Sequence, residues 1–551
     1  MFEKSGWIGL GLVACSFGVQ AEDMQIIVKY KKAPQTIVAM HTQLARLSGA
    51  DVTSIKPMAG GAYVVRFNSE KTAGLVRSDT ILKRLQKNNN VAYALKDRKG
   101  YFKPLPKMEG TFFDSLLSHD SQWDEFSRPA GIMLESAPGL RDGAWAYTTG
   151  YSKKPVVVAV LDTGVALNDS LVENLVKDDE GNIWGWNFAG NDNDITDETG
   201  SYHGTHVSGT IAGYGNVMTG VGEDLKVLTV KIPDASGMFY ESAVINGIYW
   251  AVGAEVPGVP KNPYPAKVLN MSFGVDAGPG REIDYCGEAL QDAISYARNK
   301  GAVIVVAAGN DNVWEHYNAP GVCNGAVKVA STGPEGLRAY YSNYGPGVML
   351  AAPGGDLRYG TKGGILSTVH PEGGYQHSGF AFYQGTSMAS PHVAGVAGLI
   401  HAISDTPMSV QKVEQLLYVT THDFGQTNDP KYSCVGKRPC GHGILDAENA
   451  VKTALTGFDV LFSAPVFHPL KNQLCGKGMV KVDKRVVTNN GVTWTLEQAD
   501  CIADDQLQHP KMRQDEKGQV YAEYGPVHYK LQQSGYKQCE IVGYDGIGCF
   551  Y

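Results

Sequence analysis

The sequence is short of charge, and it has no long basic run. Charged residues make up 19% of its 551 positions, 48 basic against 56 acidic, for a net charge of −8. It has no Lys/Arg block to meet a phosphate backbone, which argues against a nucleic-acid partner. After the first twenty or so residues it also lacks any apolar run long enough to cross a bilayer, so no transmembrane anchor is expected. None of its nine cysteines forms a Cys-x-x-Cys pair, which leaves a zinc site without support. It is not poor in glycine, with 66, and 43% of the chain is hydrophobic, as expected of compact, turn-rich globular structure.

At this length a single core is not expected, and two to four domains are. Residues 1–21 read as a signal peptide: Lys4 lies in a short polar start, an apolar small-residue core follows, and Val19-Gln20-Ala21 is a small-x-small cleavage site. A rival reading takes Leu12-Val13-Ala14-Cys15 as a bacterial lipoprotein box, with Cys15 lipidated. Both readings make the chain exported. Setting Cys15 aside leaves Cys286, Cys323, Cys434, Cys440, Cys475, Cys501, Cys539 and Cys549, an even set that favours disulfides in an exported protein. Pairing nearest neighbours gives 286–323, 434–440, 475–501 and 539–549, although eight cysteines allow 105 pairings.

Residues 22–100 read as a separate small domain. Positions 25–30, 52–58, 62–67 and 91–95 have strand character, and 36–47 and 72–86 carry apolar residues at helical spacing. The order β-α-β-β-α-β predicts a ferredoxin-like α+β fold. Residues 101–129 are polar and contain proline, so they read as an exposed, cleavable connector.

The rest is organised around Gly385-Thr386-Ser387-Met388-Ala389-Ser390-Pro391-His392-Val393-Ala394-Gly395. A Gly-flanked turn delivers Ser387 into a helix whose apolar face holds Val393, Val396, Ala397 and Ile400. Pro391 is expected in the first helical turn, where a missing N–H is harmless. Backbone N–H groups and the positive end of the helix dipole converge there, where negative charge forming on a carbonyl oxygen would be met. A serine needs a base and an orienting acid. The apolar run 156–161 suits a buried parallel strand and ends in Asp162-Thr163-Gly164, and His203-Gly204-Thr205-His206 opens a second small-residue helix. The order Asp, His, Ser is one in which this triad recurs.

The segments VVVAVLDTGV, HGTHVSGTIAG, NMSFG, AAGN and GTSMASPHVAG resemble, in order, the signature blocks of the subtilisin-like serine proteases, and span roughly residues 130–455. The resemblance implies that Asp162, His203 and Ser387 form the triad and that Asn310 donates to the oxyanion beside the Ser387 N–H. It implies that Ser272, Phe273, Gly274, Ala307, Ala308 and Gly309 line a backbone-recognising cleft, so that selectivity is broad. It implies a packing role for His206. Residues 22–100 are similar in pattern to inhibitory propeptides that precede such domains; a permanent accessory domain is the alternative. Gly441-His442-Gly443-Ile444-Leu445-Asp446-Ala447 resembles the block that closes the catalytic domain.

Strands alternating with helices over 130–456 predict a doubly wound parallel α/β sheet with ligands at the strands' carboxyl ends. Asp192, Asp194 and Asp197 form an oxygen-rich loop that reads either as a structural calcium site or as solvated charge. No cofactor is expected for the chemistry. Residues 460–551 hold four of the cysteines and read as a small disulfide-stapled β module. The chain is therefore expected to be a secreted, bacterial, monomeric serine endopeptidase acting on protein or peptide substrates and inhibited by its own propeptide. The alternatives are a selective processing protease and a surface-binding protein whose C-terminal module is the functional part.

Overall fold

The computed structural model describes residues 24–68, 78–102, 117–126, 128–274, 286–314, 319–404 and 408–456, together with short strands between 459 and 550. The expected signal peptide, residues 1–21, with Cys15 and also Cys475, lies outside these residues. The chain divides into two compact units, one of Met1–Pro57 with Gly61–Asp97, the other of Met58–Gly60 with Arg98–Tyr551.

In the first unit β1 (Met24–Tyr30), α1 (Ile37–Ser48), β2 (Val52–Pro57), β3 (Ala62–Phe67), α2 (Ser78–Gln86) and β4 (Val91–Lys96) follow in that order. The sheet order is β2-β3-β1-β4, with all pairs antiparallel, the ferredoxin-like arrangement. Thr36 caps α1 by accepting from the Ala39 N–H at 3.1 Å, and Gly49, in the left-handed region, ends it. Ile26, Val28, Leu44, Val65, Phe67 and Leu85 make a core of its own.

The second unit is built on a seven-stranded sheet. Its strands are β6 (Val157–Asp162), β7 (Gly185–Asn187), β8 (Lys226–Lys231), β10 (Val268–Met271), β11 (Val303–Ala307), β12 (Val327–Thr332) and β13 (Leu350–Pro353). They lie parallel in the order β13-β12-β11-β10-β6-β8-β7. β6 is buried along its whole length, as its unbroken apolar run requires. The winding reverses beside β6, the point at which an open α/β sheet leaves a crevice at its carboxyl edge. A short strand, β5 (Lys99–Tyr101), pairs antiparallel with β9 (Met238–Tyr240), just before α4 (Glu241–Ala251), and α5 (Glu288–Asn299) lies between β10 and β11 in the chain. Helix α3 (His203–Ala212) packs on α6 (Thr386–Ala402), and every residue of both is buried.

The connector reading fails over part of its length. Ser121, Gln122, Asp124 and Glu125 are at most 3% exposed. Gln122 and Glu125 bind each other and Thr219, the Trp123 indole donates to the Gly364 carbonyl, and His392 Nε2 lies 3.0 Å from Asp124 Oδ2. Polar residues can be buried when they satisfy one another, and composition alone does not reveal it. This stretch belongs to the second unit's interior, and residues 103–116 lie outside the described ones.

Cys286–Cys323 and Cys434–Cys440 are disulfide-bonded, with Cα atoms 4.7 and 4.9 Å apart. Past residue 456 the described segments are strands. Five form an antiparallel sheet in the order Val486–Asn489, Val492–Gln498, Val527–Gln532, Val520–Tyr524, Lys511–Gln514. In the pair of strands Gln538–Val542 and Gly546–Phe550, Cys539 stands opposite Cys549. Among the described residues no helix is long and apolar enough to cross a membrane.

Candidate active site

Strand β6 carries Asp162 to the carboxyl edge of the sheet, and α3 begins there with His203. His203 Nδ1 lies 2.7 Å from Asp162 Oδ1, which also accepts from the Thr163 N–H at 2.8 Å. Thr163 in turn accepts from the Gly204 N–H, and its hydroxyl donates to Asp197. The strand end and the helix start are thereby fastened together. Both Asp162 and His203 are buried. Burial disfavours charge on the imidazole, but the Asp162 carboxylate and its hydrogen bond outweigh that, and His203 stands above its ordinary value.

Ser387 is the second residue of α6. Its Oγ donates to the Ser272 carbonyl at 2.8 Å, and the Ser272 Oγ donates back to the Ser387 carbonyl at 3.0 Å. This second bond corrects the expectation for Pro391. The helix starts at Thr386, so the proline lies inside it, four residues beyond Ser387. An interior proline removes the N–H that the Ser387 carbonyl would have accepted. The Ser272 hydroxyl supplies the missing donor, and is itself held by Ser390 Oγ and by the Asn270 amide, each at 2.8 Å.

Asn310 follows β11. Its Oδ1 accepts twice from Thr386, from the N–H and from Oγ1, both at 2.8 Å. Those donors fix the amide's orientation and leave its Nδ2 for the other side. A β-carbon on Gly385 would lie 3.4 Å from Asn310 Nδ2 and 3.6 Å from the Ser387 nitrogen, so the two donors face one small space beside Ser387. A glycine at 385 leaves that space open.

Of the cleft residues, Ser272 turns its side chain to α6, while Ala307 and Ala308 are buried. The Gly309 N–H donates to Thr386 Oγ1, and Gly274 is half-buried. Phe273 packs on Phe239 of β9 and on Phe102, with ring centres 5.2 Å away in each case. Phe102 also sits edge-on to the His203 ring at 5.6 Å, and its N–H donates to the Gly237 carbonyl. Sequence reasoning missed Phe102, Phe239 and Thr386. Phe102 fell in the expected connector, where a lone aromatic carries no periodic signal.

The structure does not bring Asp192, Asp194 and Asp197 to a common centre. Asp192 accepts from Asn187 and the Asp194 N–H, Asp194 from the Thr196 N–H, and Asp197 from Thr163, Thr199 and Thr205. Among the described residues no group of three or more His, Cys, Asp or Glu is placed to hold a metal ion. His206 is buried and stacked on Tyr383, with Nε2 at 3.1 Å from the carbonyls of Ile365 and Ala381; burial pulls it down to about 3.

Comparison with known proteins agrees with this architecture. Residues 153–443 match the model of the subtilase family, peptidase S8. An extracellular protease of Xanthomonas campestris is 32% identical over 74% of this chain and 66% of its own length, so the chain spans about two thirds of that relative. An extracellular basic protease of Dichelobacter nodosus is 29% identical over 78% of this chain and 71% of its own. A solved protease structure from Pseudoalteromonas arctica superposes with a TM-score of 0.51 at 36% identity, covering 61% of this chain and 98% of that one. The sheet order, the site at its carboxyl edge and the family match together assign the chain to the subtilase family: it is a subtilisin-like serine protease.

Proposed function

We propose that the chain is an exported protease zymogen that hydrolyses peptide bonds through Asp162, His203 and Ser387. The observation that carries this is the 2.7 Å contact of His203 Nδ1 with Asp162, which leaves Nε2 as the basic nitrogen. Ser387 Oγ leaves its bond to Ser272, passes its proton to Nε2 and bonds the substrate carbonyl carbon. The carbonyl oxygen gains negative charge and takes up Asn310 Nδ2 and the Ser387 N–H. The C–N bond then breaks, and the proton on His203 goes to the leaving amine. Water repeats the sequence to release the acid.

In this reading residues 22–102 are an inhibitory propeptide. Its support is β5, which lies along β9 like a bound peptide and sets Phe102 against His203. The cut that frees the enzyme falls within 103–118, ahead of the buried Ser121–Glu125 stretch. Export rests on the N-terminal segment, and two relatives carry names that call them extracellular.

A fluorophosphonate probe tests the assignment. The matured enzyme is expected to carry one adduct, on the peptide containing Ser387, and His203→Ala to carry almost none. Labelling at another serine, or undiminished labelling of His203→Ala, contradicts it.

A further inference from the structure

We infer that the cleft selects peptides carrying the pattern Arg-x-Gly-x-aromatic on the amino-terminal side of the cut. The inference rests on the functional reading above and narrows the broad selectivity that backbone recognition alone would give.

The second unit's own segment Arg98-Lys99-Gly100-Tyr101-Phe102 lies along β9 in antiparallel register, Lys99 opposite Tyr240, Gly100 opposite Phe239 and Tyr101 opposite Met238. Side chains alternate across a strand, so alternate residues of the segment turn to the protein. Arg98 and Phe102 are held, whereas Tyr101 is 57% exposed.

Three receptors are built for the residues that turn inward. Glu241, the first residue of α4, is only 4% exposed. It takes the Arg98 guanidinium in a paired grip, Nε to Oε2 at 2.8 Å and Nη2 to Oε1, while Arg98 Nη2 also donates to the Cys286 carbonyl at 3.0 Å. The Glu241 N–H donates to the Arg98 carbonyl at 2.8 Å, which fixes the register. A buried carboxylate without its cation is costly, so this position demands a basic residue, and the fork geometry favours Arg over Lys.

The middle position demands glycine. A β-carbon on Gly100 would lie 2.2–2.8 Å from the Phe239 ring. Gly100 has no positive φ, so the requirement is for space and not for backbone freedom. Nor can the ring step aside readily: Phe239 is 2% exposed and packed on Phe102 and Phe273, at 5.5 and 5.2 Å between centres. The third position takes an aromatic ring, which closes the cluster of Phe239 and Phe273 against His203.

The test measures kcat/KM of the matured enzyme on quenched fluorescent peptides containing Arg-Ala-Gly-Ala-Phe followed by non-proline residues. Companion peptides carry Gln for Arg, Ala for Gly, or Ala for Phe, and cut sites are read by mass. Each change is expected to lower the rate at least about tenfold, as losing one buried charge-assisted bond or one packed ring does. In Glu241→Gln the Arg-to-Gln ratio should collapse toward one. In Phe239→Ala the Gly-to-Ala ratio should collapse, because the ring no longer fills the space. Both readouts are ratios within one preparation, so they do not depend on how much of a variant folds. Equal rates on all four peptides by an enzyme that degrades casein overturn the inference alone. Failure to cleave either peptides or casein overturns the functional reading and the inference with it.

Discussion

Ser272 and Ser387 hold each other twice, each hydroxyl donating to the other's carbonyl at 2.8 and 3.0 Å. The pair joins the end of β10 to the start of α6 and repairs the bond that Pro391 removes. Ser272→Ala leaves the buried Ser387 carbonyl without its hydroxyl donor. We expect a loss of about 1–3 kcal/mol in unfolding free energy, read by denaturant titration on a Ser387→Ala background that cannot digest itself. In the active enzyme the same change should lower kcat more than it raises KM.

Thr386 holds the Asn310 side-chain oxygen with two hydrogen bonds, from its N–H and its hydroxyl. Asn310→Ala should lower kcat by roughly 10²–10³ with a small change in KM, since the lost donor acts on charge that forms during reaction. Thr386→Val removes one of the two fixing bonds and should give a smaller loss of the same kind. Steady-state kinetics on one peptide checks both, and a pure KM effect in Asn310→Ala would assign the residue to ground-state binding.

His203 stands above its ordinary value because of Asp162. As the proposed base it must be neutral, so activity should fall on the acid side with an apparent pKa above that of a free imidazole. Asp162→Asn should move that limb down and lower kcat by about 10⁴. The linked stability has its own sign. A raised folded value means that the contribution is full below the unfolded value and is lost as pH rises through the folded one.

His401, in the last turn of α6, behaves oppositely. Burial, aided by Lys267, pulls it down to about 4, and its Nε2 has no hydrogen-bond partner among the described residues. Its depressed value makes the stability contribution full above about 6.5 and progressively lost as pH falls toward 4. His401→Leu should therefore stabilise the Ser387→Ala protein at pH 5 by roughly 2 kcal/mol more than at pH 8. Denaturant midpoints at the two pH values give the comparison, and an equal shift at both would contradict the origin in protonation.

Much of the catalytic domain was legible because its elements follow from local pattern. The apolar run before Asp162 must be a buried strand, and the glycine-rich turns must deliver Ser387 and Asn310 to the sheet's edge. The first unit was legible for the same reason, down to the order of its strands. What was not legible depends on partners far away in sequence. Ser121–Glu125 looked like a linker because nothing local shows that Thr219, Gly364 and His392 will satisfy its polar groups. Pro391 looked like a first-turn proline because its compensating hydroxyl, Ser272, lies more than a hundred positions away. Phe102 and Glu241 gave no signal, since one is an isolated aromatic and the other an ordinary helix-start acid until Arg98 is laid against it.

Intact mass and N-terminal sequencing of the purified wild type beside Ser387→Ala test whether Ser387 carries out both maturation and proteolysis. The wild type should lose its front at a bond within 103–118 and hydrolyse casein. Ser387→Ala should keep residues 22–102 attached and hydrolyse none. A Ser387→Ala protein that matures normally and retains full proteolytic activity would contradict that role for Ser387.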